Sequence, residues 1–463
     1  MDKITYAINL FNEEKFSEGE KIALEIFEEN PQSVEALDVL AAIFLRINHL
    51  EFLDNAGKKE LDLIRKLAFF LYDLQTFEQA AVFFQKALEI YPVDYVALAN
   101  LGLVFEELDN LKKAENCYLR SLKIKFNYPA AYNLGVLYRK TKELAKSINY
   151  LEKAAQENPN NAYAHYSLGM SYFMNKEFQK GYPEFLRRPV QYIEGLKNIW
   201  TGEKHEDKTL LIYCEYGLGD AIMFSRYFPL LKEYFAKITV CCKPALISLF
   251  KASFSDIEFV SSYAEASYDY SVLSMDLPYF LKLDFENIPS SCGYLTSDNE
   301  KVEKFKREYF DNDNLKVGLF FVGGEQQKRN ARYRAIELAK LSKLLELPNT
   351  KFYSFQKEDI YDELKDFPEI INLGANFNDF SDTAAAMKNL DVMVTIDSAP
   401  VHLAGALGIK TYLMLPTYSE WRWFTEEKTT PWYKSVELFR QENSSSWANV
   451  VDAIYEKLKN FKT

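Results

Sequence analysis

Hydrophobic and polar positions change their period once along the chain, near residue 205, and the change separates two kinds of structure. Before it, Gly102, Gly135 and Gly169 recur at intervals of 33 and 34 residues, each preceded by Leu and followed three residues on by an aromatic: Phe105, Tyr138, Tyr172. After each glycine come small and large residues at helical spacing: Ala114 and Tyr118; Ser147, Leu151 and Ala154; Gly181 and Phe185. Small residues let two helices approach and large ones fill the groove beside them, so the pattern predicts stacked helix pairs. Ala68, Ala80, Phe84, Ala87 and Pro92 extend it backwards, and Ala7, Phe16 and Pro31 mark a weaker first unit. Residues 48–59 break the phase. About five units are expected over residues 1–200, stacked as a right-handed solenoid with a concave face suited to a protein or peptide partner.

After residue 205 short apolar, β-branched runs replace the helical spacing. Residues 209–214, 238–241 and 269–273, then 316–322, 352–355, 370–373 and 392–396, read as buried strands separated by helical stretches. This is α/β patterning with parallel sheets, expected as one domain over 205–310 and a second over 311–463. The last helix, 447–458, is amphipathic and is expected to return to the first sheet.

Composition narrows the class without changing the elements. A hydrophobic share of 48% and a charged share of 26% are those of a globular protein. The formal charge of −12 argues against nucleic acid as the main partner. No apolar run is long enough to cross a bilayer and the amino terminus does not read as a signal peptide, so a soluble, cytoplasmic protein is expected, with room for peripheral membrane contact. Five cysteines, only Cys241 and Cys242 adjacent, make neither a disulfide framework nor a zinc site. Asp311 and Asp313 stand in an Asn-rich turn before a strand and read as a solvated loop, not a metal site.

Three turns at strand ends carry candidate chemistry. Asp397-Ser398-Ala399-Pro400, with His402, joins the run 392–396 to a small-residue helix stopped by Gly408; Ser398 is a suitable N-cap, and a helix N-terminus at the carboxyl end of a parallel strand can hold phosphate. The same unit is also common scaffolding. Gly217-Leu-Gly219-Asp220 follows the first strand, where glycines allow close backbone approach and an Asp can equally be a helix-dipole partner. Gly323-Gly324 ends the strand 316–322, and Lys328, Arg332 and Arg334 follow in a loop that suits a diphosphate, or is simply a basic surface. Trp421-Arg422-Trp423 and Pro431-Trp432-Tyr433 either wall a ligand or pack a crossover segment.

The string from Asp397 to Gly408 resembles the nucleotide-sugar motif of the heptosyltransferase-like family-9 glycosyltransferases, D-T-x-x-x-H-L-x-x-A-L, with Ser398 in place of Thr. The Gly217–Asp220 string resembles the Gly-Asp segment that opens those enzymes, and Arg332 and Arg334 match an Arg-rich stretch of the repeat-fused members. The amino-terminal period is that of the tetratricopeptide repeat. The resemblance implies a tetratricopeptide α-solenoid followed by two Rossmann-like domains of the glycosyltransferase-B type. It implies inverting, metal-independent transfer from a nucleotide-diphosphate sugar, ADP-heptose-like in the nearest case, to a protein, peptide or glycan chosen by the solenoid. Asp220 would be the catalytic base; Gly217, Gly219, Gly323, Gly324, Lys328, Arg332, Arg334, Asp397, Ser398, Ala399 and His402 would surround the donor, with no cofactor. The first sheet domain is short for the family, so the solenoid would stand in for acceptor-binding elements. The competing reading is a catalytically degenerate scaffold that assembles partners through its repeats.

Overall fold

In a computed structural model of the chain, each repeat glycine sits where its helix meets the next. A Cβ on Gly102 would lie 2.4 Å from the Tyr118 ring, and one on Gly135 would lie 2.6 Å from Leu151 Cγ, so only glycine allows these helix pairs to close. The structure describes residues 2–190, 196–289, 293–323, 335–357 and 361–461, with backbone alone at 361 and 362. It divides into two compact units, Met1–Leu168 and Gly169–Thr463.

The first unit is helical: α1 Lys3–Asn12, α2 Phe16–Glu29, α3 Val34–Ile47, α4 Leu61–Asp73, α5 Phe77–Ile90, α6 Tyr95–Glu107, α7 Leu111–Ile124, α8 Tyr128–Lys140 and α9 Leu144–Glu157, with α10 Ala162–Met174 running across the division. Asp94, Asn110 and Asn127 cap α6, α7 and α8 through their side chains. The turn inside successive pairs places Gln75, Asp109, Lys142 and Lys176 in the left-handed region, φ between 55° and 66°, one per repeat. The phase break is a short 3-10 helix, Glu51–Asn55. Its leading N–H groups, Glu51 and Phe52, donate at 2.9 and 2.8 Å to the buried carboxylate of Glu20 on α2, which satisfies donors that no helix turn reaches.

The second unit continues with α11 Phe178–Phe185 and two sheets. β1 His205–Tyr213, β2 Phe235–Cys241, β3 Glu258–Val260 and β4 Tyr270–Leu273 form a parallel sheet in the order β3-β2-β1-β4. β5 Leu315–Phe320, β6 Thr350–Ser354, β7 Ile370–Asn372, β8 Val392–Ile396, β9 Thr411–Leu415, β10 Thr429–Thr430 and β11 Tyr433–Arg440 form the other, ordered β10-β11-β9-β8-β5-β6-β7. All its neighbours are parallel except the β10–β11 pair. Counted within each sheet, leaving out the β10 edge, the orders are 3-2-1-4 and 3-2-1-4-5-6. The order reverses between β1 and β4 in one and between β5 and β8 in the other, so a crevice opens at the carboxyl ends of those strands.

β8 is buried at every position, as its β-branched and mostly apolar run suits a central parallel strand. The final helix, Ala448–Lys459, packs against the short helix Ser342–Leu345 and β11, with Lys343 and Lys457 paired at 2.6 Å to Asp452 and Glu437. It therefore covers the second sheet, where the sequence reading sent it to the first. Val450, Val451, Ile454 and Leu458 form its apolar stripe, a pattern that specifies burial but not against which sheet.

Candidate functional site

β8 delivers Asp397 and Ser398 to the carboxyl edge of the second sheet, and the helix Ala399–Ala406 starts there. Ser398 holds the N-cap position with extended backbone, φ −157° and ψ 178°, but its hydroxyl makes no capping hydrogen bond; its carbonyl accepts from Val401 N–H at 3.1 Å instead. The expected cap thus holds in position and not through the side chain. Pro400 to Ala406 are buried, so only the N-terminus of this helix is open, and Gly408, φ 75°, ends it.

On the first sheet β1 leads through Cys214, Glu215 and Tyr216 into the helix α12, Leu218–Phe224. Gly219 brings the two helix starts together: a Cβ there would lie 2.8 Å from His402 Cδ2 and 3.3 Å from Ala399 Cα. Asp220 follows directly. One of its oxygens accepts the Gly217 N–H at 3.1 Å, and the other accepts from the Arg422 guanidinium. Two stretches 180 residues apart in sequence thus meet at one point, which places Gly217, Gly219, Asp220, Ala399 and His402 together.

His402 is buried, with Nδ1 2.9 Å from the Tyr433 hydroxyl and its ring stacked on Trp423 at 5.5 Å. That is a packed histidine. Asp397 is buried too. Gly323 lies just past the end of β5, the neighbour of β8, and so at the same edge. Gly324, Lys328, Arg332 and Arg334 lie outside the described residues.

The sequence reading missed four groups. Arg422 was noted only within an aromatic cluster, and Trp421, Trp423 and Trp432 prove to be core. Arg226 is buried; it donates to the carbonyls of Met223, Pro289 and Trp432 at 2.9 to 3.1 Å and lies 4.8 Å from the Tyr433 ring centre. It ties the first-sheet side to the segment that supports His402. Arg440 donates to Ser419 Oγ at 2.7 Å and to the Trp423 carbonyl, and burial brings its pKa down to about 10. Arg188, placed by sequence at the end of the last repeat, is fully buried between Glu215 at 2.7 Å and Asp276 at 2.5 Å. Glu215 also accepts from the N–H and hydroxyl of Ser274, both at 3.0 Å, so this network closes the crevice between the carboxyl ends of β1 and β4. Burial pushes Glu215 and Asp276 up against the lowering pull of Arg188, with the Asp276 charge adding to the rise at Glu215, while the two carboxylates outweigh burial at Arg188 and hold its charge. An arginine among aromatics, or before a proline, was the one available sign.

Beside that network a cavity of about 550 Å³ opens at the carboxyl edge of β1 and β2, lined by Tyr213, Cys214, Tyr216, Cys241, Cys242 and Lys243 among others. Burial pushes the Cys241 and Cys242 thiols up to about 11 and about 12, so neither is a thiolate near neutral pH. Among the described residues no group of three His, Cys, Asp or Glu side chains is placed to hold a metal, and no helix is long and apolar enough to cross a membrane.

Two tetratricopeptide-repeat models match residues 95–128 and 128–161, so the chain carries these repeats, the class of fold that binds peptide or protein partners. Protein FlbA of Caulobacter vibrioides is similar at 26% identity over 311 residues, covering 60% of this chain and 50% of that protein. The ycf37 protein of Pyropia yezoensis is 34% identical over 83 residues, 18% of this chain and 47% of that one. The chain thus spans about half the length of the curated relatives it matches. Among solved structures, MamA from Desulfovibrio magneticus RS-1 aligns with a TM-score of 0.29 and 20% identity, over 40% of this chain and 93% of that one.

Proposed function

We propose that residues 205–461 are an inverting, metal-independent glycosyltransferase of the two-sheet B type, with the repeats recruiting its acceptor. The observation that carries this reading is the close approach of Gly219, in the turn after β1, to Ala399 and His402 of the helix that follows β8, with Asp220 next to Gly219 in sequence. The order 3-2-1-4-5-6 in the second sheet is one that doubly wound sheets use, and 3-2-1-4 in the first is its opening part, which supports a Rossmann-like reading of both; in such sheets ligands bind outside the carboxyl ends where the order reverses. In the second sheet that place is the edge holding Gly323, Asp397 and Ser398.

A nucleoside diphosphate sugar would lie along that edge with its diphosphate at the open helix N-terminus, where the dipole opposes the charge that grows on the leaving group. Asp220, across from it, would take the proton of an acceptor hydroxyl as that oxygen attacks the anomeric carbon from the opposite side. The cavity beside Tyr216 is in reach of the same turn and suits part of the acceptor. The test is to incubate the full chain with a panel of nucleotide sugars and follow nucleoside diphosphate release and sugar transfer by mass spectrometry. Transfer that stops on Asp220→Asn supports the reading. No turnover with any donor, alongside capture of a peptide by the repeats, favours a second reading, an interaction scaffold, for which the matched repeats speak.

A further inference from the structure

Arg422 reaches the site from the second sheet. It stands in the 3-10 turn Trp421–Trp423, and both flanking indoles are buried: Trp423 stacks on His402 at 5.5 Å, and Trp421 lies 4.7 Å beneath the guanidinium. The turn is therefore fixed against the Ala399–Ala406 helix. From it the guanidinium donates to Asp220 Oδ1. Asp220 is the residue after Gly219, which approaches Ala399, so Arg422 is held at the turn that meets that helix. The Arg422 and Asp220 side chains are 12% and 23% exposed, enough for a ligand to approach from the open side.

One guanidinium is thus paired with a carboxylate next to the glycine that approaches the helix end proposed to hold a diphosphate. The diphosphate carries more charge and offers paired oxygens that match the guanidinium fork, so it competes for the same donors. We infer that Arg422 is a ligand of the donor diphosphate and passes to it from Asp220, so that donor entry frees the Asp220 carboxylate to act as base; this rests on the glycosyltransferase reading. The step then balances. The acceptor O–H bond breaks, its proton goes to Asp220, its oxygen bonds the anomeric carbon, and the C–O electron pair leaves with the diphosphate that Arg422 holds. In the absence of donor an acceptor hydroxyl meets a carboxylate engaged at both oxygens, Oδ1 by Arg422 and Oδ2 by the Gly217 N–H.

The test is a titration of the full chain with ADP, UDP, GDP and CDP followed by tryptophan emission at low ionic strength, using the nucleotide that binds the parent tightest. Arg422→Gln is expected to weaken that nucleotide about tenfold or more, as loss of a charge-assisted contact does. Asp220→Asn removes the competing charge and is expected to tighten it about threefold or more, an effect opposite in sign to that of damage to the site. A guanidinium that only ties the two sheets would move neither affinity in this way. Unchanged or weaker binding by Asp220→Asn overturns the inference, as does parent-like binding by Arg422→Gln; if circular dichroism shows Arg422→Gln misfolded, the Asp220→Asn arm decides alone. A parent chain that binds none of the four nucleotides removes the glycosyltransferase reading, and the inference with it. A parent that binds while Asp220→Asn fails to tighten removes the inference alone.

Discussion

Gly219→Ala puts the close approach of the two helix starts under direct load. The added methyl would lie 2.8 Å from His402 Cδ2 and 3.3 Å from Ala399 Cα. Carbon contacts settle at about 3.5–4.0 Å, so a gap of about 0.7 Å or more must open. Neither neighbour gives easily: His402 is held by Tyr433 at 2.9 Å and stacked on Trp423, and Ala399 Cα is backbone. The helices must move apart, an overpacking that costs about 1–3 kcal/mol. The chain's five tryptophans, at 200, 421, 423, 432 and 447, all lie in the second unit, so their emission during heating reports that unit alone. A midpoint lowered by about 2–4 °C per kcal/mol is expected. Gly217→Ala is the control: its nearest neighbour is the movable Asp220 Oδ2 at 3.2 Å and its φ of −86° suits any residue, so a loss under about 1 kcal/mol is expected. A Gly219→Ala chain that melts with the parent would refute the contact on which the site is built.

Three further expectations follow from single groups. Arg188→Met leaves Glu215 and Asp276 buried without their cation and should destabilise the second unit by about 3–5 kcal/mol in denaturant titrations; a loss below about 1 kcal/mol would contradict the network. At Asp382 burial acts to raise the pKa, but Lys301 at 2.6 Å and the Asn378 N–H at 2.9 Å outweigh it and hold the carboxyl below its ordinary range. A lowered folded-state pKa stabilises above the unfolded value and is lost as pH falls through the folded one, so the stability gap between parent and Asp382→Asn should shrink below about pH 4; a gap constant to pH 3 would count against it. Asp220→Asn should lower turnover at least about a hundredfold once the acceptor is supplied, and a parent-like rate would leave Asp220 as a helix-start residue.

What the sequence disclosed follows from where each signal is stored. Helix pairs were legible because Gly102 and Gly135 must be small opposite Tyr118 and Leu151, a constraint written at a fixed period. The left-handed turns at Gln75, Asp109 and Lys142 were not, since ordinary polar residues occupy them in place of Gly or Asn. β8 declared itself by burial on both faces, whereas β11 mixes aromatic, charged and apolar positions and is recognisable only through its pairing with β9. The turns bearing Asp220 and Ser398 could be found from glycine and cap residues. That they meet, and that Arg422 holds Asp220 from a stretch 202 residues away, is tertiary and leaves no local trace. The Ser398 hydroxyl shows the converse: a good cap by residue type, it does not cap.

On the proposed function, the open N-terminus of the Ala399–Ala406 helix receives a nucleoside diphosphate. This is tested most directly by the melting midpoint of tryptophan emission for the parent and Ser398→Glu, each with and without a panel of nucleoside diphosphate sugars. One donor should raise the parent midpoint, with no rise in Ser398→Glu, whose carboxylate would occupy the helix end, while the helical content of the first unit stays unchanged. An equal rise in both chains, or no rise with any donor, would contradict it.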